Sequence, residues 1–201
     1  MKIVTLLFTL FLFVSCKDSI PNVEVAAASV NLGTEVNLPT PETTNPPAVA
    51  KVSNTKTQAV YAAEDYTLKF SMNPMDNNAY ELLIDVELKN NAYYVSPNAK
   101  RDFKGKFTLE LKEDNKLHSN SKLLETPPSV EEIDMHPYVN GTINWVRKNT
   151  NYRITLERNW EEDFHILGHV KFTIEPKCTL EIIPIILKFE NGEMKVEIFD
   201  C

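Results

Sequence analysis

Apolar and polar residues alternate along most of the second two-thirds of the chain. Tyr66, Leu68, Phe70 and Met72 form one set, and Tyr80, Leu82, Ile84, Val86 and Leu88 the next. Phe103, Phe107, Leu109 and Leu111 follow, then Tyr152, Ile154 and Leu156. Phe164, Ile166, Val170, Phe172 and Ile174 share one face of a longer run, and Met194, Val196 and Ile198 close the series. A period of two is what a strand with one buried face requires, and no long segment repeats at the helical period. Breakers separate the runs: Asn73-Pro74, Asn90-Asn91, Pro127-Pro128, Asn140-Gly141 and Asn191-Gly192. About eight short strands at this spacing predict an all-β fold, an immunoglobulin-like antiparallel β-sandwich. A small closed barrel is the alternative. The firmest local expectation is a hairpin of residues 182–189 and 193–199 around Asn191-Gly192, a strong two-residue turn signal. Pro184 lies inside its first strand, which predicts an edge position or a bulge.

Residues 1–16 follow a different rule. Lys2 precedes the apolar run 3–14, then Ser15 and Cys16. A charged start, a short apolar stretch and a small residue describe a secretory signal, too short to remain as a spanning helix. Its end, Phe13-Val14-Ser15-Cys16, resembles the bacterial lipobox. That resemblance implies removal of residues 1–15 and diacylation of Cys16 as the first residue of the mature protein. It also implies a lipid-anchored membrane protein of the bacterial cell envelope, facing the periplasm or in the outer membrane. Each buried methylene contributes roughly 0.8 kcal/mol, so durable anchoring takes two or more chains. The alternative is an ordinary signal peptide that contains a cysteine.

Residues 20–60 are rich in Pro, Thr, Asn, Ala and Val, with Pro39, Pro41, Pro46 and Pro47 clustered. So little large apolar surface cannot offset the entropy of ordering, which predicts a disordered tether. A flexible chain of that length reaches about 35 Å. The expected organisation is therefore a signal peptide (1–15), a lipidated cysteine and linker (16–60) and a β-sandwich domain (61–201). About 140 residues suit one domain. Net charge is −7, or −8 once Lys2 is removed (−7 − 1), which argues against nucleic acid and against a polybasic membrane patch. Lys100, Arg101, Lys104 and Lys106 are the densest basic group and read as a solvated strand edge.

With Cys16 lipidated, Cys178 and Cys201 remain to react. An exported protein meets an oxidising environment, so a structural disulfide, two free thiols and a redox-active pair all stay open. A two-residue turn pairs residues whose numbers sum to 383, so Cys201 would face Ile182 rather than Cys178. Four residues of strand is about 13 Å, beyond the ~7 Å that a bridge allows. No C-x-x-C is present. His165 and His169 also stand about 13 Å apart in a strand, too far to share zinc. They read as solvent-facing, as do His118 and His136 in loops. Glu161-Glu162-Asp163 lacks the alternating oxygen ligands and glycine of a calcium loop and reads as a solvated turn. The chain has five glycines and no nucleophile-elbow, phosphate-loop or zinc-protease motif, so neither cofactor nor metal is expected. Tyr93 and Tyr94 with Pro97, and Trp145 and Trp160, are candidates for an apolar recognition surface, with core packing as the alternative.

Two stretches together resemble a known family: Asn91-Ala92-Tyr93-Tyr94-Val95-Ser96-Pro97 after an alternating strand, and Gly168-His169-Val170-Lys171-Phe172 followed by Cys178 and Pro184. They are similar to the N-terminal domain of the thiol:disulfide interchange reductase DsbD. The resemblance implies an immunoglobulin-like periplasmic domain that relays electrons to partner proteins through a cysteine pair on a late hairpin. Cys178 matches the first cysteine of that pair. The second would fall near Pro184, where this chain has Ile182, Ile183, Pro184 and Ile185. Exchange needs a second thiol to resolve a mixed disulfide, and Cys201 would serve only beside Cys178. The leading expectation is a lipid-anchored module that binds an envelope protein or oxidoreductase. The alternatives are thiol exchange by Cys178 and Cys201, and a structural envelope component.

Overall fold

The computed structural model describes residues 50–199 apart from 56, 57, 113 and 120. The stretch read as a signal segment, Cys16, the stretch read as a tether up to residue 49, and Cys201 lie outside the described residues. Among the described residues fourteen strands run in chain order: β1 (Lys51–Asn54), β2 (Gln58–Ala62), β3 (Tyr66–Pro74), β4 (Ala79–Leu88), β5 (Tyr94–Val95), β6 (Thr108–Leu111), β7 (Leu117–His118), β8 (Leu124–Thr126), β9 (Glu131–Asp134), β10 (Gly141–Val146), β11 (Thr150–Arg158), β12 (Phe164–Ile174), β13 (Thr179–Glu190) and β14 (Glu193–Ile198). None of the described residues is helical.

The fold is an immunoglobulin-like antiparallel β-sandwich. One sheet has the order β1-β2-β3-β4-β11-β7, with β8 pairing on β11 beyond β7. The facing sheet has the order β14-β13-β12-β6. A small third sheet, β5-β10-β9, stands at one end. The alternating residues supply the core: Tyr66, Leu68 and Phe70 of β3 and Leu82, Ile84 and Val86 of β4 face Ile166, Val170 and Phe172 of β12 and Ile183, Ile185 and Leu187 of β13, all buried. Phe107 ties the layers together, its ring 4.4 Å from Tyr152 and 5.5 Å from both Tyr94 and Phe172.

Asparagine supplies most of the turns. Asn77-Asn78, Asn90-Asn91 and Asn191-Gly192 each place two successive residues at positive φ, the geometry of the tight turn that matches strand twist. Asparagine tolerates that region because its short polar side chain bonds the local backbone, so few glycines suffice. Pro74 ends β3 rather than forming the turn, which falls at Asn77-Asn78.

Two expectations are corrected and one holds in part. Two strands, β1 and β2, precede residue 61 or span it, so the sandwich begins inside the segment read as linker. Phe103 does not continue the β6 face; it packs in a second, smaller cluster with Val95, Ala99, Val139 and Ile143. The Pro184 expectation holds in part: β13 lies between β12 and β14 and is not bulged, but β14 pairs it only from Ile185 on, so Pro184 falls on a stretch with an open edge on that side. Pro184 is tolerated because its missing N–H falls at the last rung, where the Phe199 N–H still reaches its carbonyl at 3.1 Å. The hairpin register is as expected, with Glu190 opposite Glu193 and Ile185 opposite Ile198.

Candidate protein-binding face

The chain leaves β4 through the Asn90-Asn91 turn and enters β5 in extended form, so Tyr93 and Tyr94 point to opposite sides. Tyr94 goes inward and is fully buried. Its hydroxyl lies 3.0 Å from that of Tyr152, and Tyr152 donates to Glu125 at 3.3 Å. The Ser96 hydroxyl and the Ser129 N–H also donate to the Glu125 carboxyl. Glu125 is 4 % exposed, so this is a buried polar network whose central acceptor has three donors. Burial is the main cause holding the Tyr94 and Tyr152 phenols well above the ordinary tyrosine range. Tyr94 therefore belongs to the core and cannot line a surface.

Tyr93 stays outside, and the sheet geometry gives it company. Its backbone exchanges two hydrogen bonds with Glu175, fixing it beside the β12–β13 turn. Ile143 and Trp145 of β10 and Arg147 just beyond it alternate to one side, Ile143 buried in the smaller cluster, while Asn144 and Val146 alternate to the other. The Tyr93 ring meets Trp145 edge-on at 4.9 Å, and the Arg147 guanidinium lies 4.2 Å above Tyr93. β9 contributes two acids to that face. Arg147 pairs with Glu132 at 3.1 Å, and the Trp145 indole donates to Asp134 at 2.9 Å. The His136 N–H and that indole hold the Asp134 carboxyl below its usual range. Trp160 lies in the β11–β12 loop, outside this sheet.

In and around β9 large apolar side chains are exposed. Val130, Ile133, Met135 and Tyr138 are 79, 74, 75 and 89 % exposed, all within or flanking β9. A hollow of about 270 Å³ opens at Val130, which lines it together with Pro127, Pro128, Trp145 and Arg147. Clustered exposure of large apolar side chains is unfavourable in an isolated soluble domain and marks interaction surfaces. A second exposed group, Leu167, Leu180 and Ile182, sits on β12 and β13, which are paired to each other throughout and offer no free backbone between them.

The other candidates stand apart from this face or outside the described residues. Cys178 is an exposed free thiol in the β12–β13 turn, with φ of 53°. Its proposed partner Cys201 lies outside the described residues, as does Cys16. His165 is exposed on the outer side of β12, and His169 lies 3.3 Å from Glu110. His118 lies 3.3 Å from Glu157. Glu161, Glu162 and Asp163 are solvated. Among the described residues no three His, Cys, Asp or Glu side chains converge as a metal cage. Sequence reasoning found Tyr93 and Trp145 but not Arg147, the β9 edge or Glu125. The available signal was the run Glu131-Glu132-Ile133-Asp134, a lone large apolar residue among acids.

No protein family matches this chain, and no curated protein does. Among solved structures it is similar to the GAE domain of GGA2p from Saccharomyces cerevisiae, at 11% identity and a TM-score of 0.36, over 71% of this chain and 99% of that one. A likeness of that size carries nothing about partners or activity.

Proposed function

We propose that this is a lipid-anchored envelope protein whose β-sandwich binds another protein through its β5-β10-β9 face. The observation that carries the binding reading is the exposure of Val130, Ile133, Met135 and Tyr138 in and around β9, the strand whose Glu132 and Asp134 meet Arg147 and Trp145. Aromatic residues and arginine supply most of the energy in protein interfaces, and apolar neighbours exclude water around them. The anchor rests on the charged start, the apolar run and the lipobox-like Phe13-Val14-Ser15-Cys16. Labelled palmitate entering the protein, and failing to enter Cys16→Ser, tests it. A photo-crosslinking residue at Ile133 or Tyr138 should trap one discrete partner in the envelope, and the same group at His165 should not. Equal trapping from both positions, or none, removes the binding face.

Thiol exchange related to DsbD is the second reading, favoured by the exposure of Cys178. Its resolving thiol is the difficulty. Phe199 is hydrogen-bonded to Pro184, and the six residues from there back to Cys178 span about 20 Å. Two further residues of chain reach at most about 7 Å. That reach supports binding over exchange. Without reductant, Cys178 and Cys201 should both be alkylated by a thiol reagent; protection of the pair that is relieved by mild reductant would favour exchange.

A further inference from the structure

We propose that the outer edge of β9 receives an extended segment of the partner protein, one with basic side chains on one face and apolar side chains on the other. This rests on the binding reading above and adds its mode and chemistry.

The hydrogen-bond phase of the small sheet shows which groups are available. The Ser96 N–H donates to the Asn144 carbonyl at 2.9 Å, so Asn144 turns its backbone groups toward β5. In an antiparallel ladder the next residues turn theirs the other way. Gly141 and Ile143 therefore face β9, where Asp134 and Glu132 are their partners. Glu131 and Ile133 are left aiming their N–H and C=O away from β10, and among the described residues nothing bonds them. An edge of this kind is a template for another strand, and proteins ordinarily blunt it.

The side chains specify what can add. Glu132 and Asp134 lie on one face of β9, and Glu131 and Ile133 on the other. Three acids in four residues set like charge against like if two copies paired through this edge, which disfavours self-association. A segment with Lys or Arg at alternate positions would meet Glu132 and Asp134 instead. Its intervening residues would lie over Ile133, with the exposed Met135 two residues further along the chain in the same phase. Lys100 on Glu131 and Arg147 on Glu132 already show that these carboxylates take cations. Both pairs are solvent-exposed, the kind of contact that exchanges at small net cost.

The test uses the full chain and fluorescently labelled peptides, read by anisotropy. A peptide alternating Lys and Val should bind at least about tenfold tighter than one alternating Glu and Val. N-methylation at alternate residues, which removes donors without changing charge, should abolish binding in one of the two phases only. Ile133→Pro removes an N–H that has no partner, so it spares the β9–β10 ladder and should abolish peptide binding. Glu132→Lys with Asp134→Lys should reverse the preference between the two peptides. Equal binding of both peptides, or equal loss in both methylation phases, overturns strand addition without any change to the protein. Retained crosslinking from Tyr138 in Ile133→Pro overturns strand addition alone and leaves the binding face standing. Loss of all crosslinking from that face removes the binding reading itself.

Discussion

The side-chain amide of Asn54 closes both backbone groups of Ile198. Asn54 Nδ2 donates to the Ile198 carbonyl and the Ile198 N–H donates to Asn54 Oδ1, each at 2.9 Å. One residue of β1 thereby imitates a rung of β-sheet on the open edge of β14 and joins the two layers of the sandwich. A carboxylate in the same place accepts but cannot donate. Asn54→Asp should therefore lose the carbonyl contact, and Asn54→Ala both. With a net value of about 0.5–1.5 kcal/mol per hydrogen bond, the alanine variant should lose about 1–3 kcal/mol. Urea unfolding measures it. A midpoint unchanged in Asn54→Ala would mean that solvent serves the Ile198 edge equally well.

Gly168 occupies an inward position of β12, between Ile166 and Val170, where every neighbour in phase is large. A Cβ there would stand 2.6 Å from Leu111 Cδ2 and 2.7 Å from the Glu110 carbonyl oxygen. The leucine can move, but the carbonyl belongs to β6, which pairs with β12 at that level. Gly168→Ala should push β6 away and cost about 1–3 kcal/mol, the range of overpacked cores. Hydrogen exchange should rise at the Glu110 and Lys112 amides while that of Leu187 stays slow. Unaltered protection of β6 would count against the close approach.

The strands legible in the sequence are those that bury large side chains at every second position: β3, β4, β11, β12, β13 and β14. What escaped follows other rules. In β1 the apolar positions are sparse, because Lys51, Ser53 and Asn54 lie on the exposed margin of the sheet, and in β2 the continuous run Ala59-Val60-Tyr61-Ala62 shows no alternation. In β8 the pattern is inverted, with Leu124 55 % exposed and Glu125 buried, so alternation read as hydrophobicity gives the wrong face. In β9 one apolar residue among acids shows no period at all. Tyr93 and Tyr94 were both visible as candidates, yet only the phase of β5 against β10 decides which one faces solvent.

Glu125 is the place where the inverted strand has energetic consequences. Truncation to alanine leaves the Ser96 hydroxyl, the Tyr152 hydroxyl and the Ser129 N–H without their buried acceptor. Each orphaned group costs about 1–3 kcal/mol, and local water entry offsets part of the sum. Glu125→Ala should therefore destabilise by about 2–5 kcal/mol and rank among the most damaging single changes. Glu125→Gln keeps an oxygen for Ser129, and its amide group can donate to hydroxyls that reorient. It should cost markedly less. Equal losses in the two variants would show that packing volume, not donor satisfaction, sets the value of this position.

Three tyrosines make the fold sensitive to alkali. Burial, foremost in each case, holds the Tyr66, Tyr94 and Tyr152 phenols above the ordinary range, and Glu181 accepts from Tyr66 at 2.7 Å. Below the unfolded value near pH 10 both states are protonated, and the contribution of these groups to stability is fully present. Above it the unfolded chain ionises while the folded one does not. Stability must then fall as pH rises, by up to about 1.4 kcal/mol per pH unit for each phenol. Alkaline denaturation should begin above about pH 10 and be delayed in Tyr94→Phe, provided that the lost hydroxyl contact is corrected for by its stability at neutral pH. Phenolate absorbance gives an independent reading, since Tyr94 should add nothing to it before unfolding. A smaller pre-unfolding amplitude in Tyr94→Phe than in the unaltered protein would mean that this phenol ionises in place, and the buried network would have to be open to solvent.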